Sequence, residues 1–380
     1  MESYDYIFAG AGCSGLSLVH YLLESDLKDA KILMIDPQGD QIPDKTWCYW
    51  AEKPLDIHPS KNIHCWNNLS FVADHTKITK NLGRLNYYHL NSHDFYNSIF
   101  KKITKSPNVT LIQDEVWDLT ESSESIKILT KNGKKFQTSF VFDSRLNENE
   151  FKNTNSLKQI FSGWRIKTQS EVFDPTSLIL MEFPNGKSSQ FDFFYILPFS
   201  KTEALVEFTA YSKDSISKDD LNSTLETYLR NNLNDISFEI TFQESGIIPM
   251  SNRKASKNPY KRVIKLGTAA GWTKASTGYT FHTIQKNCKE IVQALSFGKI
   301  HELQLQSSSR FSFYDNVLLN VAHKWPDQLQ SLFLNLFTTS SADLVLRFLS
   351  EETSFREEIT LLSKLKFPIF IKSLLNYESH

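Results

Sequence analysis

The sequence is short of several things, and each shortage excludes something. It holds only 4 cysteines in 380 residues, Cys13, Cys48, Cys65 and Cys288. None forms a C-x-x-C pair or stands with histidines at a zinc spacing. A disulfide scaffold and a metal site are therefore not expected, and reduced cytosolic thiols are. Charge of one sign is also lacking: 42 Lys and Arg face 43 Asp and Glu, for a net charge of −1. With no basic block there is no footprint for nucleic acid, and the scattered "KK" pairs read as solvated faces. Long hydrophobic runs are missing too. No apolar stretch approaches the ~20 residues that span a bilayer. The nearest, "FPIFIKSLL" at 367–375, is broken by Lys372. A first strand expected from about Tyr4 leaves no room for a signal peptide. The expected protein is soluble, or attached to a membrane surface at most.

What is present is aromatic, with 28 Phe leading. That is material for a large core and for an apolar cavity, and the length allows one large domain or two joined ones.

The amino terminus carries the first motif. "YDYIFAG" reads as a buried strand, followed by Gly10-Ala11-Gly12-Cys13-Ser14-Gly15 and the helical "LSLVHYLLES". The next strand, "AKILMID", ends at Asp36, 21 residues after Gly15. Strand, glycine turn, helix, strand and acid in this order form a dinucleotide-binding unit. Gly10 allows the tight turn, Gly12 lets a pyrophosphate reach the helix amino terminus, and Gly15 lets helix and strand pack closely. Asp36 is placed to accept from a ribose.

After Pro37 the chain breaks into the polar, aromatic "PQGDQIPDKTWCYW" and then into short strands. This interruption points to a split flavoprotein domain rather than a compact NAD domain. A later stretch, "KRVIKLGTAAGWTKASTGYTF", ends a strand at Leu266, continues through Gly267, Thr268 and Gly271, and reaches Gly278 before a long helix. It resembles the late flavin-contacting segment of two-dinucleotide-binding-fold flavoproteins, with Thr268 where those carry Asp. Residues 92–104 read as an amphipathic helix, and Asn132-Gly133 as a hairpin turn. The strand "SFVFDSR" returns towards the nucleotide, which makes Asp143 a cofactor-side candidate; the alternative is a polar strand end.

From Phe161 to Ile248 strand follows strand, with one helix at about 218–233. The inner face of this antiparallel sheet is expected to be aromatic, with Trp164, Phe191, Phe193, Tyr195 and Phe208 as candidates. Among them sits one acid, Glu207 in "LVEFTAY". An unpaired carboxylate in an apolar setting costs several kcal/mol or keeps its proton. From about residue 300 the pattern is helical. Glu351 and Glu352 in "FLSEETSF" read as caps or a solvated face at a helix start.

Together, "YIFAGAGCSGLSL", "KTWCYW", "YILPFS" followed by "LVEFTAYS", "ESGIIPM" and "GTAAGWTKASTGYTF" resemble the flavoprotein lycopene cyclases of bacteria and plants. The resemblance implies an α/β fold: a Rossmann-like FAD-binding domain split by an antiparallel-sheet substrate domain, with a helical carboxy terminus. Expected boundaries are 1–60, 90–150 and 260–300 for the FAD-binding domain, 61–89 and 151–259 for the substrate domain, and 301–380 for the helices. It also implies acid-catalysed closure of the linear psi end of lycopene, without net redox change, to the rings of γ- and β-carotene.

Glu207 then takes the place of the family's essential acid, and Phe208 stands where a second acid can follow. The resemblance places Thr46 and Trp47 beside the cofactor. It makes Trp164, Tyr195, Phe208, Trp272 and Tyr279 the pocket, with Trp47 and Tyr49 as further aromatic candidates near the cation. Glu244 of "ESGIIPM" matches another family acid, read as structural or substrate-side. FAD is expected in reduced form, kept so by NADPH or another reductant. Lycopene or another linear carotenoid is the expected substrate, and a membrane surface the expected peripheral partner on the cytoplasmic side; no obligate protein partner is expected. Two readings compete: a redox flavoprotein such as a prenyl reductase, hydroxylase or halogenase, and a flavin-binding carotenoid carrier without turnover.

Overall fold

The structure is a computed structural model; it describes residues 1–39, 44–60, 63–146, 156–184, 190–234, 236–252, 259–305, 308–365 and 367–378. Part of the polar loop after Asp36 and the expected boundary at 150/151 lie outside the described residues.

Two seven-stranded sheets dominate. The first has the order β8-β2-β1-β11-β10-β9, with β17 beside β11. Its strands are β1 (Glu2–Ala9), β2 (Ile32–Asp36), β8 (Val109–Gln113), β9 (Val116–Glu121), β10 (Ile126–Thr130), β11 (Lys135–Asp143) and β17 (Val263–Lys265). β1 pairs in parallel with both β2 and β11. It is covered on both faces, which is why "YIFA" is continuously apolar rather than alternating. One face takes α1 (Cys13–Leu23), α2 (Ser92–Thr104) and α4 (Phe281–Ser296), through Leu16, Leu18, Phe95, Ile99, Ile284 and Ile291. On the other face Ile7, Leu33 and Ile35 pack with Val116, Ile126 and Ile128.

The second sheet has the order β16-β12-β15-β14-β13-β5-β6. Its strands are β5 (Asn68–Ala73), β6 (Thr76–Asn81), β12 (Leu157–Thr168), β13 (Leu178–Glu182), β14 (Phe191–Pro198), β15 (Glu203–Ser212) and β16 (Phe238–Met250). Side chains alternate between its faces. Even-numbered residues of β15, Val206 and Phe208 among them, join Trp164, Phe194 and Ile196 against α3 (Lys218–Asn232). Leu221, Leu225 and Leu229 close that layer, each contributing about 1.5–3 kcal/mol by leaving water. The other face meets a small sheet, β3 (Thr46–Ala51), β7 (Asn86–Asn91) and β4 (His64–Trp66). It also meets the carboxy-terminal helices α5 (Ser309–Lys324), α6 (Leu329–Thr339) and α7 (Ala342–Leu349). α8 (Phe355–Leu362) and α9 (Phe367–Leu375) finish the chain.

The expected boundary at 89/90 falls inside β7, because β7 is held on both sides by β3 and β4. Glu351 and Glu352 do not start a helix. Ser354 caps α8 in a capping box with Glu357, while Glu351 sits in the preceding turn at φ +62°. There Glu351 pairs with Lys274 at 3.1 Å, and Asp315 of α5 holds the same ammonium at 2.9 Å. The glycine-rich late segment is thereby tied to the carboxy-terminal helices.

Candidate active site

The acid of "LVEFTAY" lies in a row that crosses four strands. Tyr195 of β14 pairs with Glu207 of β15, Glu207 with Gly163 of β12, and Gly163 with Glu244 of β16. All four residues point to the face that carries the small sheet and the carboxy-terminal helices. Two carboxyls therefore flank a residue with no side chain. A Cβ at Gly163 would lie 3.3 Å from the Glu207 Cβ and 3.5 Å from its Oε2. The strand interior uses glycine here because a carboxyl leans over it.

Glu207 retains some accessible surface and yet is deeply enclosed by protein, the combination expected of a group lining an internal space. Its partner among the described residues is Thr209, whose hydroxyl donates to Oε1 at 2.9 Å. Burial, reinforced by the charge of Glu244, pushes the Glu207 carboxyl up to about 8. It is mostly protonated at neutral pH. Glu244 is 6% exposed. Burial raises it as well, while Thr46 and Lys45 pull it back. Its Oε2 accepts from the Thr46 amide at 3.0 Å.

Beside Glu207 lies a cluster of phenols. Tyr87 bonds Tyr195 at 2.9 Å and Tyr279 at 2.6 Å, and Tyr195 donates to the Cys48 sulfur at 3.2 Å. Trp50 meets Tyr279 edge to face at 4.8 Å. Burial pushes the Cys48 thiol up to about 12 and the Tyr195 and Tyr87 phenols well above their ordinary value. All three are neutral.

The glycine turn lies at the other end of the late segment. A Cβ on Gly15 would come 2.6 Å from the Gly10 carbonyl oxygen, whereas one on Gly12 meets nothing within 4 Å. No side chain caps α1, and its first turn holds no acid. Open space at an uncapped helix amino terminus fits a pyrophosphate. Asp36 accepts from the Ala11 amide at 2.7 Å and the Gln38 amide at 2.8 Å, so it braces the turn and keeps lone pairs for a ribose. Gly267, at φ +59°, lies so close to Ser14 that a Cβ would meet its hydroxyl at 2.8 Å. This brings Thr268 and Gly271 to the same end of α1; Thr268 also bonds Thr273 at 3.2 Å. Gly278 lies against Gln159 and Ile248 of the second sheet, and Tyr279 follows it into the phenol cluster. One continuous segment thus links the nucleotide turn to the acid row.

The sequence model of the family described as lycopene cyclase protein matches residues 5–376. The chain belongs to that family. No curated protein is significantly similar to it in sequence. Among solved structures it resembles a geranylgeranyl bacteriochlorophyll reductase-like protein from Thermoplasma acidophilum, with 14% identity, TM-score 0.61 and 99% of each chain covered. It also resembles a flavoprotein/dehydrogenase from Cytophaga hutchinsonii, with 12% identity, TM-score 0.61, and 99% of this chain and 100% of that one covered. The halogenase PltM, crystallised with phloroglucinol and FAD, matches at 11% identity and TM-score 0.59, over 92% of this chain and 82% of that one. The fold is that of the FAD-dependent flavoproteins.

Several expected site residues lie elsewhere. Phe208 and Trp164 are on the opposite face of the sheet from Glu207, in the layer against α3. Asp143 ends its strand beside Ala9 and the glycine turn, with its carboxyl held by two cations. Arg145 holds its Oδ1 at 2.9 Å, Lys265 holds its Oδ2 at 2.8 Å, and 1% of it is exposed. Thr46 serves Glu244. Trp47, Tyr49 and Trp272 pack in the core between the nucleotide sheet and its helices. Trp47 lies 5.3 Å from Phe95 and 5.6 Å from Phe281, while the next residues on the other face of β3, Cys48 and Trp50, look towards the acid row. Sequence reasoning missed Gly163, Tyr87, Cys48 and Trp50, and it missed that Glu244 stands opposite Glu207. A glycine inside the strand "FSGWRIKT" was the available signal.

Proposed function

We propose that the protein is a flavin-dependent lycopene cyclase that closes the linear psi end of lycopene without net oxidation or reduction. The observation that carries this reading is a carboxyl enclosed beside a second carboxyl and a cluster of phenols, an environment that favours its neutral form. Protonating an unactivated alkene needs a dry acid with its proton in place. Glu207 transfers that proton to the terminal double bond. The neighbouring double bond attacks the tertiary cation, and loss of a second proton leaves the ring alkene. The faces of Tyr195, Tyr279 and Trp50 offer negative quadrupoles to the passing cation. Gly10, Gly12, Asp36, Gly267, Thr268 and Gly271 would hold FAD. Reduced FAD, maintained by NADPH or another reductant, would supply negative charge complementary to the cation.

Lycopene dissolves in bilayers, so the enzyme takes it from a membrane surface, reached from the cytoplasm. No helix among the described residues is long and apolar enough to cross a membrane. Exposed Ile371, Leu374 and Leu375 on α9 support surface docking. On this reading the nucleotide-binding unit is split around the antiparallel sheet, with the carboxy-terminal helices as a third part.

The test is expression in a lycopene-accumulating bacterium with chromatography of the pigments. Cyclic carotene is expected from the wild type. Glu207→Gln should lower turnover by about 1,000-fold or more with flavin still bound, as expected when the general acid is lost. Substantial turnover by that variant would remove Glu207 from the acid role. Consumption of one reductant per ring would favour the redox reading that the reductase-like and halogenase folds suggest.

A further inference from the structure

The row of acids continues towards solvent. Thr46, whose amide holds Glu244, also lines an open cavity of about 310 Å³. Asp44, Asn91, Arg165, Glu203 and Phe242 are among its other walls. Phe242, Arg165 and Leu205 pair across β16, β12 and β15 two residues along from Glu244, Gly163 and Glu207. The cavity thus lies over the same face, about 7 Å from the acids by strand rise. Glu244 lies behind the Thr46 wall of this cavity with one oxygen to spare: Oε1 is buried and has no hydrogen-bond partner among the described residues. A buried polar atom left unpaired costs about 1–3 kcal/mol, so its retention calls for an explanation.

We propose that Glu244 is the proton-accepting partner of Glu207, and that the cavity beside Thr46 is where this carboxyl exchanges its proton with water. The inference rests on the cyclase reading. The Glu207 O–H bond breaks as a C–H bond forms at the terminal alkene carbon. After ring closure, a C–H bond next to the cation breaks and its electron pair becomes the ring double bond. Glu244 takes that proton. Transfer back to Glu207 across Gly163, or exchange with water, resets the pair, and no electrons are consumed.

The surroundings assign the roles. The Thr46 amide and the Lys45 charge favour ionised Glu244, whereas among the described residues Glu207 has the Thr209 hydroxyl as its hydrogen-bond partner, with the Lys45 charge the smallest of the influences on it. Asp44 opposes Lys45 near Glu244. From β14 and β3, Tyr195 and Cys48 face the pair as neutral groups. On the cavity side Arg165 is neutralised by Glu203 at 2.7 Å, and His89 is pushed down to about 3 by burial and then by Arg165.

The experiment uses the purified full chain with FAD, a reductant and lycopene in vesicles. Glu244→Gln keeps an oxygen for the Thr46 amide but accepts no proton. Its kcat should fall about 100-fold, the scale of a general base, with flavin spectrum and KM unchanged. The high-pH limb of the residual activity should move to lower pH, because the charge that helps Glu207 keep its proton is gone. Formate, entering through the cavity, should restore Glu244→Ala in proportion to its concentration. Wild-type kcat with an unmoved pH profile in Glu244→Gln would overturn the proposal. So would loss of activity with an unmoved limb and no formate rescue, which would leave Glu244 a structural role. If the wild-type protein cyclises no linear carotenoid, it is the cyclase reading that fails.

Discussion

Asp143 ends β11 with 1% of its surface exposed, and Glu207 sits in mid-strand on the second sheet. Burial pushes both carboxyls up. At Asp143 that push is overridden by hydrogen bonds and charge from Arg145 and Lys265, and the group stays ionised below the usual carboxylate range. At Glu207 the nearest strong charge is another carboxyl, Glu244, and the group is driven the other way, to about 8. The two regions show that burial alone does not set the behaviour of an acid: the sign is decided by what was buried with it. The nucleotide sheet uses its acid as a clamp between β11 and β17. The second sheet gives its acid a hydroxyl and a second carboxyl as neighbours rather than a pair of cations, which favours its neutral form.

The largest stability effect expected from this contrast is at the clamp. Asp143→Ala leaves two cations without their anion and should cost about 3 kcal/mol, the low end for a broken buried pair, because both cations reach water. Denaturant unfolding of the full chain measures it. Since the folded-state value of Asp143 is lowered, its contribution is present above about pH 4 and is lost as pH falls through the folded value. The gap between variant and wild type should therefore be flat from pH 5 to 8 and close in stronger acid. A gap that widened on acidification would contradict the assignment.

Glu207 should show the reverse slope. The unfolded chain gives up this proton near 4.5 and the folded chain near 8, so wild-type stability falls as pH rises between them. At about 1.4 kcal/mol per pH unit, discounted for the coupling to Glu244, the penalty at pH 7 is on the order of 2–3 kcal/mol. Glu207→Gln does not titrate. It should lose activity yet gain stability over wild type as pH is raised from 5 to 8, a trade seen where a strained site serves function. Parallel pH dependences for the two proteins would break the comparison.

How much of this was written locally in the sequence differs between the same two regions. The glycine turn, α1 and Asp36 were legible because their contacts span 25 residues or fewer, as the bond from Ala11 to Asp36 does. Glu207 was legible because an acid among apolar strand residues is a local anomaly. The partners were not. Lys265 reaches Asp143 across 122 positions, and Thr46 reaches Glu244 across 198. Such contacts depend on which strands pair and in what register, which no local pattern states. Phe208 is a different kind of miss. Strand alternation alone places the neighbour of Glu207 on the opposite face, so the period-two rule was enough to remove it from the pocket. The same rule separates Trp47 from Cys48 and Trp50.

The smallest change that tests the contrast is a single methyl group. Gly163 does not adopt a positive φ, so alanine is compatible with its backbone. Alanine also removes the conformational penalty that glycine brings to a strand, about 0.5–1 kcal/mol. Against this, the new Cβ would stand 3.3 Å from the Glu207 Cβ, tighter than an ordinary contact. The carboxyl must then shift by a few tenths of an ångström. The two terms nearly cancel, so Gly163→Ala should unfold within about 1 kcal/mol of wild type. Its turnover should nevertheless fall by roughly tenfold, because a displaced acid meets the alkene less often in line. The methyl group also fills the space between the two carboxyls; being apolar it deepens the burial of Glu207 and does not screen Glu244, so the high-pH limb of activity should move upwards. Pigment turnover against pH, beside a urea titration, reads all three quantities; full activity with an unmoved limb would mean that the space over Gly163 is not where the two acids meet.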